Sequence, residues 1–362
     1  MNHFLLKKEH LVPLLRKLAK DNRLVAPIRT DYGDTLFSEI DNISAVTLDL
    51  EKQPQNSLKA FFFPQSEKLS SYTLTEHPST NRSMYTFQQH LPANKPTVYI
   101  GVRACDMHAI LHMDRVFAND PYYQRRRSNA TFITIGYHAP GKNCFCHDTN
   151  TGPFLTQDYD LQLTDIGESF FVESDSIQGE EILKCWSPFF TPATQQDRQD
   201  QFQVELEARS SFKLSVNVDQ AVSLLAQQPL PATLLNNLAI RCQGCAGCAY
   251  VCPTCSCFNI SDHPLGDDCG ERRRSWDACT FSGFTRMAGE HNPIDGEKDR
   301  VTKRFLHKLK HDVEKYGQIS CVGCGRCVDM CFGGVNIVGF INALCEIENM
   351  PKVESEEQGV KV

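Results

Sequence analysis

The sequence predicts an α/β amino-terminal domain followed by a cysteine-built α+β domain that carries a large insertion. Three observations lead there. A strand–helix–strand unit lies between Thr97 and Ile135, the composition changes at Arg241, and 13 of the 17 cysteines fall between Arg241 and Cys345. At 362 residues the chain is long enough for about two domains. Apolar residues make up 41%, enough for a packed core.

The first 25 residues read as a helix, broken or restarted at Pro13, with Leu11, Leu14, Leu15 and Leu18 on its buried face. Alternating stretches at Ile43 to Leu50 and Leu58 to Phe63 read as strands. Thr97-Val-Tyr-Ile-Gly-Val102 has the composition of a buried strand. Asp106 to Phe117 has helical spacing, with Ala109, Ile110, Met113 and Phe117 on one side, and Thr131-Phe-Ile-Thr-Ile135 is a second buried strand. A strand, a helix and a strand at that separation make a crossover, so the two strands are expected to be parallel. Further on, Ser169 to Val172 and Lys213 to Val218 read as strands, and Thr191 to Glu207 as a loop and an exposed helix. A short helix ends near Leu238. The expected division is an α/β domain over 1–238, a second domain over 239–348 with its insertion at 258–318, and a solvated tail over 349–362.

The formal net charge is −7, which argues against nucleic acid as a main partner. No apolar run approaches the roughly 18 to 20 residues of a membrane span, and the amino terminus lacks the apolar stretch of a secretory signal. A cytoplasmic location is therefore expected. Seventeen cysteines in a large chain without such a signal point to metal in a reducing compartment rather than to a disulfide scaffold.

Cys242-x2-Cys245-x2-Cys248-x3-Cys252-Pro253 reproduces the spacing of bacterial ferredoxins, and Cys321-x2-Cys324-x2-Cys327-x3-Cys331 repeats it. Three cysteines two residues apart wrap one face of a cube, and the fourth ligates the other cluster. One [4Fe–4S] cluster is thus expected on Cys242, Cys245, Cys248 and Cys331, and a second on Cys321, Cys324, Cys327 and Cys252. The second domain is accordingly a dicluster [4Fe–4S] ferredoxin-like α+β domain. Gly244, Gly247, Gly323 and Gly325 suit the tight loops. Zinc is the competing reading for CxxC pairs, but two complete four-cysteine sets in this rhythm disfavour it. Phe332 stands where proline usually follows the last cysteine, and 68 residues separate the two runs.

Nine cysteines remain. Cys105 follows the first parallel strand, and Cys144 and Cys146 follow the second, so all three are expected at one sheet edge, where open α/β folds build sites. Cys255 and Cys257, just after the first run, and Cys279 are further candidates. Four of these six are expected to hold a third iron–sulfur centre at the domain interface; the alternative is that they are buried as small apolar residues. Cys185, Cys269 and Cys345 read as structural. Arg103, Arg326 and the run Arg272-Arg-Arg274 are candidate charges for tuning clusters, and Arg125-Arg-Arg127 is either similar or a solvated face. No nucleotide-binding glycine motif and no hydrolase nucleophile motif is present, so the chain is expected to hold neither flavin nor NAD and to contribute no catalytic residue.

Gly101-Val-Arg-Ala-Cys-Asp106, Asn143-Cys-Phe-Cys146, the two cysteine runs and the segment from Trp276 to Pro293 together resemble the iron–sulfur beta-subunit family of cytosolic sulfhydrogenases, the NAD(P)-linked [NiFe] hydrogenases. An iron–sulfur component of anaerobic sulfite reductase is of the same family. The resemblance spans roughly Leu11 to Cys345; Phe332 with Gly333-Gly334 departs from its commoner proline form. It implies an electron-transfer subunit of a multisubunit oxidoreductase. One partner is a reductase that binds FAD and NAD(P), and the other is a terminal redox subunit of the NiFe hydrogenase or sirohaem sulfite reductase type. Two other classes stand beside this one. A catalytic subunit would show three cysteines, hence an open iron, at the third centre; a redox sensor would use its clusters as switches.

Overall fold

The computed structural model describes residues 3–76, 83–227 and 229–349. Among the described residues, twelve strands form two sheets. They are β1 (Phe4–Lys7), β2 (Arg23–Arg29), β3 (Thr35–Glu39), β4 (Ser66–Glu76), β5 (Ser83–Gln89), β6 (Thr97–Arg103), β7 (Ala130–Gly136), β8 (Leu161–Asp165), β9 (Ser169–Ser174), β10 (Phe190–Pro192), β11 (Phe258–Pro264) and β12 (Cys269–Trp276).

The larger sheet has eight strands in the order β10-β1-β9-β8-β7-β6-β2-β3. Its centre, β2, β6, β7 and β8, is parallel, as expected for the crossover through the helix Ala104–Val116. Every residue of β6 and β7 is buried, which is why both read as continuous apolar runs rather than alternating ones. One face packs on the leucines of the helix Lys8–Leu18 and the other on Met107, Ile110 and Met113 of the crossover helix.

Several expectations change. The amino-terminal segment opens as strand β1, and its helix runs unbroken through Pro13, whose missing N–H costs one bond while the leucine face stays buried. Leu58 to Phe63 is a short helix, Lys59–Phe62, because Phe62 and Phe63 bury into an aromatic cluster with Tyr99. Ile43 to Leu50 contributes a lone bridge, Ile28 to Leu48. Lys213 to Val218 forms no strand and leads into the helix Val218–Gln227. Thr191 to Glu207 begins with β10 and continues as the helix Gln195–Ser210, opened by a capping box between Thr194 and Asp197. The expected tail falls almost wholly on residues 350–362, outside the described residues.

The division expected at residue 238 is crossed twice. Val216, Val218, Leu224, Leu225 and Leu238 pack into one core with Phe305, Leu309, Phe340 and Ile341 of the cysteine-rich part. The second sheet, in the order β11-β12-β4-β5, pairs β4 from the amino-terminal half with β12 from the insertion between the cysteine runs. Arg274 fastens this joint: its Nε donates to Glu67 at 2.9 Å, a second nitrogen pairs with Asp120, and its plane lies 5.1 Å from the Phe63 ring. The arginine runs are therefore spent on the fold. Arg272 pairs with Asp262, Arg273 with Glu271, Arg126 with Glu67 and Arg127 with Asp114.

Replacing Arg274 with Met removes one of the two arginine partners of buried Glu67 and leaves Arg126 alone with it. The expected loss of unfolding free energy is smaller than the about 3–5 kcal/mol of a fully unpaired buried charge, read by denaturant titration, and is expected to grow when Arg126→Met is added.

Candidate metal centre

The two cysteine runs fold as tight loops that each enter a short helix, Gly247–Val251 and Arg326–Asp329. Cys242, Cys245, Cys248 and Cys331 line one cavity of about 120 Å³, together with Arg304 and Thr280. Burial pushes the Cys248 thiol up to about 11; Arg304 opposes this, and Cys327, Cys252 and Cys331 add to it. Burial pushes Cys321 up to about 12, with Cys327 and Cys252 among the groups around it. Cys324 and Cys327 likewise count Cys252 among their neighbours. Cys331 thus shares a cavity with the first run, and Cys252 lies among the neighbours of Cys321, Cys324 and Cys327 as well as of Cys248; among the described residues no three ligand groups close on a point as they would around a single metal ion. The backbone N–H of Val335 donates to Cys331 Sγ at 3.1 Å.

The six remaining candidates do not converge in one place. Cys105, Cys144 and Cys146 are buried together with Ala109, Tyr137, Val322 and Cys324, as the parallel strand ends require. Tyr137 Oη lies 2.9 Å from Cys146 Sγ, and the Arg103 guanidinium lies 4.4 Å from the Tyr137 ring centre. A hydrogen bond with Cys146 is the chief reason that Cys144 is drawn down to about 7. Cys255 sits elsewhere, its thiol hydrogen-bonded to that of Cys252, and Cys257 is drawn to about 6, chiefly by a hydrogen bond with Cys279. Among the described residues no hydrogen bond joins these two groups. Cys185 is exposed, and Cys269 and Cys345 are half-buried.

The loop of Cys144 and Cys146 lies directly on the second cysteine run. Phe145 N donates to Gly323 O at 2.7 Å, and a Cβ at Gly323, whose φ is +58°, would come within 2.6 Å of the Cys146 backbone. Only glycine fits such a contact in that conformation. Arg326, between Cys324 and Cys327, forms a bidentate pair with Asp106 at 2.7 and 2.9 Å, both groups being buried. Its Nε donates to Pro54 O at 2.8 Å.

Four other cations are buried beside the cysteines and have no carboxylate ion pair among the described residues: Lys59, Arg103, Arg304 and Lys308. Lys59 Nζ donates to Ala249 O at 2.8 Å and Cys255 O at 3.1 Å and lies 4.2 Å from the Trp276 ring centre. Burial draws the Lys59 ammonium below an ordinary lysine and Cys255 and Cys252 oppose this, while two carbonyls and the indole face meet its hydrogens. Lys308 Nζ donates to Thr254 Oγ1 at 2.8 Å, Arg304 to Val335 O at 2.9 Å and Arg103 to Glu51 O at 2.5 Å. Burial opposes the charge of Lys308, but Cys252, Cys255 and Cys321 raise it well above an ordinary lysine. An uncompensated buried charge costs several kcal/mol. A thiolate-ligated iron–sulfur cube is net negative, so its charge answers these cations; the donor set and its surroundings fit such a group. Sequence reading picked out Arg103 and Arg326 but missed Lys59, Lys308 and Arg304, because nothing in their local pattern separates a buried lysine from a solvated one.

Residues 241–335, which carry both cysteine runs, match the family of 4Fe-4S dicluster domains. Over 337 residues, 91% of this chain and 95% of the relative, the sequence is 28% identical to sulfhydrogenase 2 subunit beta of Pyrococcus furiosus. The resemblance to the sulfhydrogenase iron–sulfur beta subunits thus extends over nearly the whole chain. No helix among the described residues is long and apolar enough to cross a membrane.

Arg326→Gln is expected to leave Asp106 buried without its partner and to lower stability by about 3–5 kcal/mol. Thermal unfolding of the cluster-loaded chain checks this, and Asp106→Asn in the same chain is expected to restore part of the loss.

Proposed function

We propose that the chain is the electron-relay subunit of an NAD(P)H-linked oxidoreductase complex in the cytoplasm. It would stand between a reductase that binds FAD and NAD(P) and a terminal redox subunit of the NiFe hydrogenase or sirohaem sulfite reductase type. The observation that carries this reading is the shared cavity of Cys242, Cys245, Cys248 and Cys331, which the crossed ligand pattern of a two-cluster ferredoxin requires. One [4Fe–4S] cluster is assigned to that set and the other to Cys321, Cys324, Cys327 and Cys252. A third centre is assigned to the buried group of Cys105, Cys144 and Cys146. When bound, each cluster takes up and releases single electrons.

The chain's own residues do the rest. Cysteine thiolates anchor each centre, Arg103, Arg304, Lys59 and Lys308 balance charge, and the close contact of Gly323 with Cys146 keeps neighbouring centres near each other. The order along the molecule is the Cys105 group, the Cys321 set, then the Cys242 set, which ends at the exposed Cys245 and at Phe332, 94% exposed. That end offers an exit to a partner. An α/β unit and a dicluster unit, locked through the second sheet, form the scaffold.

The three-cysteine count of the Cys105 group favours a second reading, in which this centre has an open iron and the subunit is itself catalytic. Added cyanide or carbon monoxide would change the electron paramagnetic resonance (EPR) signal of an open site and not of a closed one.

Anaerobic affinity purification from native cells, followed by mass spectrometry, tests the relay. Recovery of a flavin reductase together with a terminal redox enzyme supports it, whereas a chain that elutes alone with its iron counts against it. For the sites, Cys324→Ala and Cys331→Ala are each expected to remove one cluster's share of iron. Cys105→Ser and Cys146→Ser are expected to remove the third centre's share; unchanged iron would eliminate that assignment.

A further inference from the structure

We propose that Lys308, acting through Thr254, and Lys59 make the Cys321–Cys324–Cys327–Cys252 centre the electron sink of the two ferredoxin-type clusters. The proposal rests on the reading of both cysteine sets as cluster ligands.

Reducing a buried anionic cluster adds negative charge in a low-dielectric place, and each fixed positive charge nearby makes that addition easier. The cations are unevenly shared. Arg326 adjoins the Cys321 set but is neutralised by Asp106. Arg304 lines the cavity of the Cys242 set and has Cys248 first and Cys327 next among its thiol neighbours, so it serves both sets and the Cys242 set foremost. Lys308 has Cys252, Cys255 and Cys321 as its foremost charged neighbours, with buried Asp312 behind them and in no ion pair with it, and Lys59 has Cys255 and Cys252, so both touch the Cys321 set through Cys252. One centre therefore has two ammonium ions in addition to the shared guanidinium.

Thr254 gives this asymmetry a directed contact. Its Oγ1 receives Lys308 Nζ at 2.8 Å and lies 3.3 Å from Cys252 Sγ. An ammonium can only donate, so the Thr254 oxygen is the acceptor there and its own hydrogen is turned to the Cys252 sulfur. Lys308 thus acts both through its charge and by fixing a donor on a ligand sulfur, which stabilises the more negative, reduced state. At the other set Cys245 is exposed. Water there also solvates added charge, but it must reorient to do so, whereas the two ammonium ions are already in place.

The test is an anaerobic potentiometric titration of the cluster-loaded full chain, followed by EPR. Cys245→Ala marks the signal of the Cys242 set. The expected result is that the signal that survives in Cys245→Ala with a ferredoxin-type line shape is the one reduced at the higher potential. Lys308→Met is expected to shift that signal's one-electron equilibrium at least tenfold against reduction, about 59 mV, and to move the other signal much less. Thr254→Val, which keeps the shape and loses the hydroxyl, is expected to shift the same signal in the same direction by a smaller step. Lys308→Arg is expected to restore much of the potential.

A Cys245→Ala chain that retains the lower-potential signal overturns the proposal. So does a Lys308→Met chain in which both signals move equally or neither moves. If Lys308→Met does not load with iron, Thr254→Val decides alone, and an unmoved potential counts against the proposal. A wild-type chain with no iron–sulfur signal overturns the parent reading instead.

Discussion

Positive charge buried without a matching carboxylate is the constraint from which the rest of this structure follows. Lys59, Arg103, Arg304 and Lys308 are each sealed from water and held by neutral acceptors. A fold with only protein groups in these places would lose several kcal/mol at each. Their common feature is proximity to cysteines, and the charge that answers them is that of thiolate-bound clusters. Cysteine spacing says where iron can be held; the cations say that a net anion is held there. Two independent kinds of residue thus specify the same group.

The parts of the chain are interlocked around that group. Arg326 leaves the second cysteine run to meet Asp106, next to Cys105, while Gly323 presses on the backbone of Cys146. Gln53 Nε2 donates to Cys324 O at 2.9 Å, from a third segment. The α/β unit therefore forms one wall of the Cys321 site. Displacement of any of these segments disturbs the positions of the thiols, which are held by the backbone contact at Gly323 and by the side chains of Arg326 and Gln53 together.

The 4Fe-4S dicluster segment and the grouping of Cys331 with Cys242, Cys245 and Cys248 were legible in the sequence, because cluster ligation demands a rigid local rhythm of cysteines. The parallel strands β6 and β7 were legible for a similar reason: burial on both faces leaves no room for polar residues. The second sheet was not. β5 is exposed along its whole length, and Ser70, Ser71 and Thr73 of β4 and Arg272 of β12 give no apolar alternation to read. The helix Lys59–Phe62 was also missed, since its form is set by aromatic packing against Tyr99 rather than by propensity. The strand ends already grouped Cys105, Cys144 and Cys146; what the sequence did not show is that Cys255, Cys257 and Cys279 lie apart from them.

The second sheet also bears on how the chain reaches its native state. Thr73 of β4 is paired with Cys269 of β12, so the β4–β5 hairpin has one bare edge until the insertion has been synthesised. Contacts so distant in sequence pay their loop-closure entropy before they return any stability. The second cysteine run follows that strand, so a grouping that draws on both runs, as Cys331 with Cys242, Cys245 and Cys248, forms only after the strand that joins the two halves has been made.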